Sequence, residues 1–219
     1  ERITDKLSQP IEDREKGSVS FSGNSIHFEN VGFAYSEGNP ILHDVNLDVA
    51  SNEFLSIVAR SGGGKSTLLY LLLGLYSPTN GKISILGRDI QSVSPVYLRK
   101  NICMVQSDSM FFPGSIRYNI CLGTNKKVTD DEIYKILKKV RIDREIMSLP
   151  NRLDTIIGEN GINLSEGQKQ RIVLARMILR DSPIIVLDEA TSAIDETTEK
   201  EIMENLLEIT RGKKTLIVI

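Results

Sequence analysis

The chain of 219 residues is long enough for one substantial domain, and 40% apolar residues are enough to bury a hydrophobic core. Its 27 basic and 29 acidic residues leave a net charge of −2 and are spread along the chain, which argues against a nucleic-acid partner. Two cysteines outside metal-ligand spacing favour a reducing, cytosolic setting, and no apolar run approaches the roughly 18 residues that span a bilayer.

The first half of the chain indicates a short arm followed by strands and one buried helix. Residues 1–24 mix charges, glycine, proline and serines without periodicity, so they are predicted to be a linker or docking arm. From about residue 25, "SIHFENVGFAY", "VNLDVA" and "TNGKISILGRDI" have strand spacing and indicate an antiparallel β region. The apolar strand "FLSIVA" leads into glycines, and a buried helix is predicted from Lys65 to Leu73, ending at Gly74.

The second half alternates helices and strands. Capping-box spacing at Thr129 predicts an amphipathic helix over 130–140, and a helix from about 166 to 180 is apolar nearly all round and must be buried. The run "IIVL" at 184–187 is typical of a parallel strand covered on both faces, and a helix over 196–209 and the strand "TLIVI" follow. The alternation predicts an α/β fold with a central, largely parallel sheet.

The segment "ARSGGGKST" at residues 59–67 has the composition of a phosphate-binding loop. A strand, a glycine turn and a helix N-terminus aim backbone N–H groups at one point, where a polyphosphate would bind. Lys65 can reach the β and γ phosphates, and Ser66 can hold Mg²⁺. The alternative, a flexible glycine turn, does not explain the Lys-Ser-Thr that follows.

Ala59 takes the place of the first glycine in the pattern G-x-x-x-x-G-K-[ST]. Its methyl group matters only if φ is positive there or if the backbone beneath is closely packed. Even then the cost is roughly 1–2 kcal/mol of stability and removes no ligand.

Asp188 and Glu189 follow the buried strand "IIVL". A strand end beside a phosphate loop is where a carboxylate directed at Mg²⁺ belongs. Asp188 is therefore expected to act on the metal through water, and Glu189 to orient or deprotonate the attacking water. The alternative is a helix N-cap pair, which would be favoured if the phosphate loop were absent.

A third segment, "NLSEGQKQRIVLARMILRDSP", resembles the signature motif of ATP-binding cassette (ABC) ATPases, normally LSGGQ. With "ARSGGGKST" and "IIVLDEATSAID" it stands in the order of that family, and the resemblance covers nearly the whole chain from about residue 25. It implies a nucleotide-binding domain with a helical subdomain at about 110–180. ATP would be sandwiched head to tail between two copies, in a homodimer or heterodimer.

The resemblance also implies a set of site residues. Under the resemblance, Tyr35 is a stacking aromatic and Gln106 belongs to the catalytic and metal centre. Without the resemblance, Tyr35 would be interpreted as an ordinary packed aromatic and Gln106 as a polar residue at a strand end. The implied catalytic residues are Lys65, Gln106 and Glu189, and the implied residues of the Mg²⁺ site are Ser66, Gln106 and Asp188. The implied ATP-binding residues are Tyr35, Ser61, Gly62, Gly63, Gly64, Lys65, Ser66 and Thr67, with Ser165, Gly167 and Gln168 from the other copy, and Asp195.

Two positions depart from the family pattern. The pattern used for the wider family accepts alanine at its first position, so Ala59 is expected to leave ATP binding intact.

Ser165 and Gln168 have capping-box spacing, which makes the signature a second helix N-terminus able to face the γ-phosphate. Glu166 stands where the family has glycine and would repel a phosphate if it pointed inward. We expect it to point sideways, towards solvent or a basic partner.

The segment "FFPGSIRYNI" after Gln106, together with the N-terminal arm, looks like the exporter type of the family. This implies a motor domain at the cytoplasmic face of a cell membrane, with a membrane-spanning domain in the same or a partner chain. The alternatives are a soluble ABC ATPase without a transporter and a degenerate cassette that binds ATP as a regulatory clamp. Because "TLIVI" ends the chain before the family's histidine, we expect a C-terminally truncated domain whose final strand leaves an apolar edge.

Overall fold

The computed structural model describes residues 25–36, 38–60, 62–108, 110–124, 126–158 and 161–219. The predicted arm over residues 1–24 and the predicted ATP-binding residue Ser61 lie outside the described residues. The chain divides into two compact units. The first extends to Ser51 and resumes over Ala59–Asn101, and the second comprises Asn52–Val58 and Ile102–Ile219.

The strands within the described ranges are, in chain order, β1 (Ile26–Ala34), β2 (Pro40–Val49), β3 (Phe54–Ser56), β4 (Asn80–Ile85), β5 (Arg88–Asp89), β6 (Ile102–Gln106), β7 (Gly114–Ser115), β8 (Ile156–Ile157), β9 (Ile184–Asp188) and β10 (Thr215–Val218). The α-helices there are α1 (Lys65–Leu72), α2 (Pro95–Asn101), α3 (Ile116–Cys121), α4 (Asp130–Lys139), α5 (Asp143–Ser148), α6 (Glu166–Arg180) and α7 (Glu196–Thr210). Short 3-10 turns occupy Ile90–Ser92 and Arg152–Asp154.

The first unit contains the predicted antiparallel region, which is confirmed as a sheet in the order β2-β1-β4-β5. Phe28 of β1 pairs with Leu47 of β2 on one side and with Ile83 of β4 on the other. Phe28 and Ile83 are almost fully buried, as strand alternation requires of a sheet that is apolar on one face.

Helix α1 confirms the predicted buried helix of the first unit. Leu69, Leu71 and Leu72 are almost fully buried, and Leu73 is the C-cap residue. Gly74 then adopts a φ of +68°, and a Cβ built on it would lie 2.6 Å from the Leu98 side chain. The helix therefore ends at Gly74 for two reasons, the left-handed backbone and the close packing.

The second unit contains a parallel sheet in the order β3-β10-β9-β6, which confirms the predicted parallel core. Residues 184–187 of β9 are buried, as a central parallel strand requires. The expectation that the final strand leaves an apolar edge is wrong, because β10 pairs with β9 on one side and β3 on the other. The predicted strand "FLSIVA" is shorter than expected and ends at Ser56.

Helices α3 to α6 of the second unit pack on one another, and α6 also packs on β6. The Thr129 capping box of α4 is confirmed, since the Thr129 amide donates to Glu132 Oε2 at 2.8 Å and the Glu132 amide donates to Thr129 Oγ1 at 3.3 Å. Helix α6 has the predicted bounds and ends where Asp181 adopts a φ of +62°. No described helix has both the length and the apolar character to cross a membrane.

Candidate functional site

The phosphate loop, described over residues 59–60 and 62–66, turns tightly into the start of α1. The Gly63 amide donates to the Arg60 carbonyl at 3.0 Å. Gly62 has a φ of +78° and Gly64 a φ of +82°, a conformation that other L-residues adopt only with strain. The backbone conformation therefore requires glycine at both positions, which argues against the alternative of a flexible glycine turn.

Close packing inside the loop explains the third glycine and involves the methyl group of Ala59. A Cβ built on Gly63 would lie 3.0 Å from the Arg60 carbonyl oxygen and 3.2 Å from the Ala59 Cβ. Ala59 is not among the described non-glycine residues that have a positive φ. Its methyl group thus costs no backbone strain, although it narrows the space available at Gly63.

Lys65 folds back over the loop that precedes it. Its Nζ donates to the Ala59 carbonyl at 2.8 Å and to the Arg60 carbonyl at 3.4 Å. These contacts place the ammonium group over the phosphate loop in a half-exposed position. Ser66, the next residue, is exposed and can present its hydroxyl to a ligand.

Tyr35 and Thr67 are joined in the first unit by a hydrogen bond that sequence reasoning did not predict. The Tyr35 hydroxyl lies 3.1 Å from Thr67 Oγ1. The Thr67 side chain is 5% exposed, whereas Tyr35 is 51% exposed. One edge of the Tyr35 ring is therefore anchored to α1 while a large part of the ring remains open to solvent.

Gln106 and Asp188 come together in the second unit. They are register partners at the carboxyl ends of β6 and β9, and Gln106 Nε2 donates to Asp188 Oδ2 at 3.5 Å. Within the described residues, no group of three or more His, Cys, Asp or Glu side chains could hold a metal ion. A nucleotide-bound Mg²⁺ takes only one or two protein carboxylates besides phosphate and water, so this oxygen-bearing pair fits that ion.

Glu189 occupies a special backbone position directly after β9. It is exposed and has a φ of +50°. This backbone conformation is strained for a residue other than glycine, and residues with such strain cluster at functional sites. The alternative interpretation of Asp188 and Glu189 as a helix N-cap pair is wrong, because α7 begins only at Glu196 with Asp195 as its N-cap.

Asp195 caps α7 through its side chain. Its carboxylate accepts a hydrogen bond from the Thr198 amide at 3.0 Å. This bond to a backbone N–H lowers the pKa of Asp195, so the carboxylate is charged at neutral pH. The predicted ATP-binding residue thus has a structural role within this chain.

The signature turn, residues 165–168, is a helix N-terminus closed by a reciprocal capping box. The Gln168 amide donates to Ser165 Oγ at 3.2 Å, and the Ser165 amide donates to Gln168 Oε1 at 2.9 Å. Glu166 points to a basic partner, since Lys169 Nζ lies 2.7 Å from its Oε1. This confirms the expectation that the Glu166 carboxylate is turned sideways.

Glu145 of α5 supports the signature turn, and the sequence analysis did not find it. Gln168 Nε2 donates to Glu145 Oε2 at 2.6 Å, and Arg171 NH1 lies 2.7 Å from Glu145 Oε1. Both polar atoms of the Gln168 side chain are therefore bonded within the chain. Gln168 therefore orients the turn, whereas Ser165 is exposed.

Gly167 and Gln170 connect the signature helix to the loop that precedes α7. A Cβ built on Gly167 would lie 2.6 Å from the Ala193 carbonyl oxygen, so only glycine allows this approach. Gln170, 4% exposed, donates to Ser192 Oγ at 3.1 Å and accepts from the Ala193 amide at 3.0 Å. The sequence feature that could have identified Gln170 is its place, as a glutamine, on the buried face of a helix.

Asn119 and Arg176 hold the segment that follows Gln106. The Arg176 guanidinium donates to the Asn119 carbonyl at 2.7 Å and to the Met110 carbonyl at 3.1 Å, and it lies over the Phe111 ring at 5.6 Å. Because Arg176 belongs to α6, the signature helix is tied to the chain that leads away from Gln106.

A phosphate loop that opens α1 in one unit, and a buried parallel strand that ends in Asp-Glu in the other, define a nucleotide-binding α/β protein of the phosphate-loop class. Residues 42–192 match the family model described as ABC transporter. The match covers more than half of the sequence, and the chain therefore belongs to the ABC transporter family.

Individual relatives are considerably longer than this chain. The chain is 39% identical over 220 residues to the multidrug resistance-like ATP-binding protein MdlB of Buchnera aphidicola subsp. Schizaphis graminum, covering 100% of this chain and 37% of that protein. It is 37% identical over 218 residues to the mitochondrial iron-sulfur clusters transporter ABCB7 of Rattus norvegicus, covering 99% of this chain and 28% of that protein.

A solved structure described as a bacterial Atm1-family ABC exporter with ATP bound has a TM-score of 0.84 and 35% sequence identity. This similarity covers 94% of this chain and 36% of that chain. The chain thus spans between 28% and 37% of the length of these proteins. The comparisons confirm the α/β fold and the resemblance to the ATP-binding part of ABC exporters.

Proposed function

We propose that this chain is the ATP-binding and ATP-hydrolysing motor domain of an ABC exporter at the cytoplasmic face of a membrane. The observation that carries the proposal is the phosphate loop, in which two glycines at positive φ and the folded-back Lys65 open helix α1. A helix N-terminus of this kind offers backbone N–H groups and a positive dipole end to phosphate oxygens.

The residues of this chain have separate roles in the proposal. The phosphates bind to the residues Ser61–Thr67, through their backbone amides and the Lys65 side chain, and Tyr35 stacks on the base. Ser66, Gln106 and Asp188 would hold Mg²⁺, which supplies charge neutralisation for phosphoryl transfer. Glu189 orients the attacking water and accepts its proton.

A second copy of a nucleotide-binding domain, identical or different, completes the proposal. The outward groups of the signature turn, Ser165 and the amides around Gly167, would face the γ-phosphate bound by the partner copy, with Gln168 and Asp195 shaping that surface. Residues 25–219 would form one such domain, with a helical part at about 110–180. A membrane-spanning domain, in the same or a partner chain, would receive the work of ATP hydrolysis.

The test of this function is Glu189→Gln. The neutral amide keeps the size of the side chain but removes the base, so we expect most hydrolysis to be lost, ATP binding to be retained, and an ATP-dependent dimer to persist. Size-exclusion chromatography with and without Mg-ATP, together with phosphate release, measures both effects.

Glu204→Gln, at an exposed position of α7, is the matched control and should leave turnover unchanged. If Glu189→Gln remained a monomer in both conditions and kept full turnover, the assignment of Glu189 would be wrong.

A further inference from the structure

Four aromatic residues of the first unit form a cluster around the predicted base-stacking residue Tyr35. The Tyr35 ring centroid lies 4.9 Å from that of Phe33 and 5.2 Å from that of Tyr76, with interplanar angles of 89° and 88°. Tyr76 also lies 5.5 Å from Phe33 and 6.2 Å from Tyr70. Two near-perpendicular aromatic contacts therefore hold the plane of the Tyr35 ring.

The members of this aromatic cluster differ in how far they are buried. Phe33 is 5% exposed and forms its base, whereas Tyr35 is 51% and Tyr76 46% exposed. An aromatic cluster that served only as core would bury its rings, since burial is what stabilises apolar surface. Here two adjoining tyrosines are each about half exposed, and the surface that they leave open suits a planar group such as a nucleobase.

The position of Tyr76 is fixed by the same helix that carries the phosphate loop. Helix α1 begins at Lys65, and after its last turn the Leu75 amide donates to the Tyr70 carbonyl at 2.9 Å. Gly74, at a φ of +68°, turns the chain so that Tyr76 follows at once. The start of α1 thus presents the phosphate loop, and the turn after its end presents Tyr76 to Tyr35.

We propose that Tyr76 is a positioning residue for the nucleotide base, which holds the Tyr35 ring in the orientation in which its open surface stacks on a purine. The inference rests on the proposed function, because that function assigns Tyr35 to the base. Tyr76 acts through Tyr35, and the hydrogen bond between the Tyr35 hydroxyl and Thr67 Oγ1 holds the same ring at its hydroxyl end.

A double-mutant cycle on the full 219-residue chain tests this role, with Mg-ATP binding measured by isothermal titration calorimetry. Tyr76→Leu removes the ring and should weaken ATP binding about threefold to tenfold, the range of an aromatic pair. In the Tyr35→Leu background the same change should have no further effect. Tyr76→Phe keeps the ring and should bind ATP within about twofold of the unmodified chain.

Controls separate positioning from folding. Tyr118→Leu removes a tyrosine of similar exposure, 50%, in the second unit, and should not alter ATP binding. Inorganic tripolyphosphate has no base, so its own affinity, derived from competition with ATP, should be equal for Tyr76→Leu and the unmodified chain. Tyr76→Met, which fills the space without a ring, provides a second variant and should behave like Tyr76→Leu.

Each outcome has a defined consequence. If Tyr35→Leu weakens ATP binding but Tyr76→Leu does not, or if the two losses add in full, the positioning role is wrong and the proposed function stands. If Tyr76→Leu and Tyr76→Met weaken tripolyphosphate as much as ATP, Tyr76 supports the fold and the inference is overturned. If Tyr35→Leu leaves ATP affinity unchanged, the assignment of the base to Tyr35 fails instead.

Discussion

Asn119→Ala should cause a large loss of stability without touching any predicted nucleotide contact. Asn119 is 0% exposed. Its Oδ1 accepts from the Phe112 amide at 3.0 Å, and its Nδ2 donates to the Phe112 carbonyl at 2.9 Å and to the Ser115 carbonyl at 3.1 Å. Arg176 NH2 adds a fourth bond to Oδ1 at 3.3 Å.

The expected magnitude follows from these bonds. Alanine leaves one backbone amide and two backbone carbonyls without their partner, and each lost hydrogen bond costs about 1 kcal/mol net, more where the group stays dry. Removal of a fully buried amide also leaves a small cavity. We expect a loss of about 3–5 kcal/mol, a large share of the roughly 5–15 kcal/mol that stabilises a typical protein.

Urea unfolding followed by circular dichroism measures this loss. Asn151→Ala is the control, since Asn151 is exposed and makes no side-chain capping bond to the 3-10 turn that it precedes. It should change stability by no more than about 0.5 kcal/mol. A loss below about 1 kcal/mol for Asn119→Ala would refute the reasoning, because it would show that water or a rearranged loop satisfies the freed backbone groups.

Two further predictions concern isolated side chains. Ala59→Gly and Glu166→Gly should each change ATP affinity less than about tenfold, because Ala59 has no strain to relieve and Glu166 is paired with Lys169; a much larger gain in a titration of Glu166→Gly would contradict this. Lys214 lowers the pKa of Asp181 below its usual 3.8, so the pair stabilises the fold above that value and loses its effect as pH falls through the folded-state pKa. Asp181→Asn keeps the left-handed backbone and should lower the free energy of unfolding by up to about 1 kcal/mol at pH 7. Urea unfolding at pH 7 and at about pH 2 should show that this loss disappears in acid. A loss that persisted in acid would exclude the ion pair as its cause.

Helix boundaries could be predicted from the sequence because the interactions that set them are local. The Thr129 box involves residues three apart, and the bounds of α4 and α6 were predicted to within one residue. The place of β10 within its sheet could not be predicted in the same way. Its second neighbour, β3, lies more than half the chain away, and a residue pattern does not reveal which distant strand pairs with which.

The same contrast holds for the candidate site. The phosphate loop and the Asp-Glu pair are contiguous motifs, so their chemistry is visible in the sequence. Glu145 and Tyr76 lie outside the motifs, and Gln170 follows the LSEGQ turn by two residues, so the roles of all three depend on contacts with other elements. The sequence can indicate that a glutamine is buried, but only the structure shows that Gln170 accepts a hydrogen bond from the Ala193 amide.

The two departures from the family pattern have a common physical explanation. At each, the part of the residue that could disturb a bound phosphate is directed elsewhere by a near neighbour. The Ala59 carbonyl accepts from Lys65, and its methyl group faces Gly63, where the missing side chain leaves room. The Glu166 carboxylate pairs with Lys169 along the helix surface. Anion binding by a helix N-terminus depends on backbone groups, so side chains at these positions can vary as long as they turn away from it.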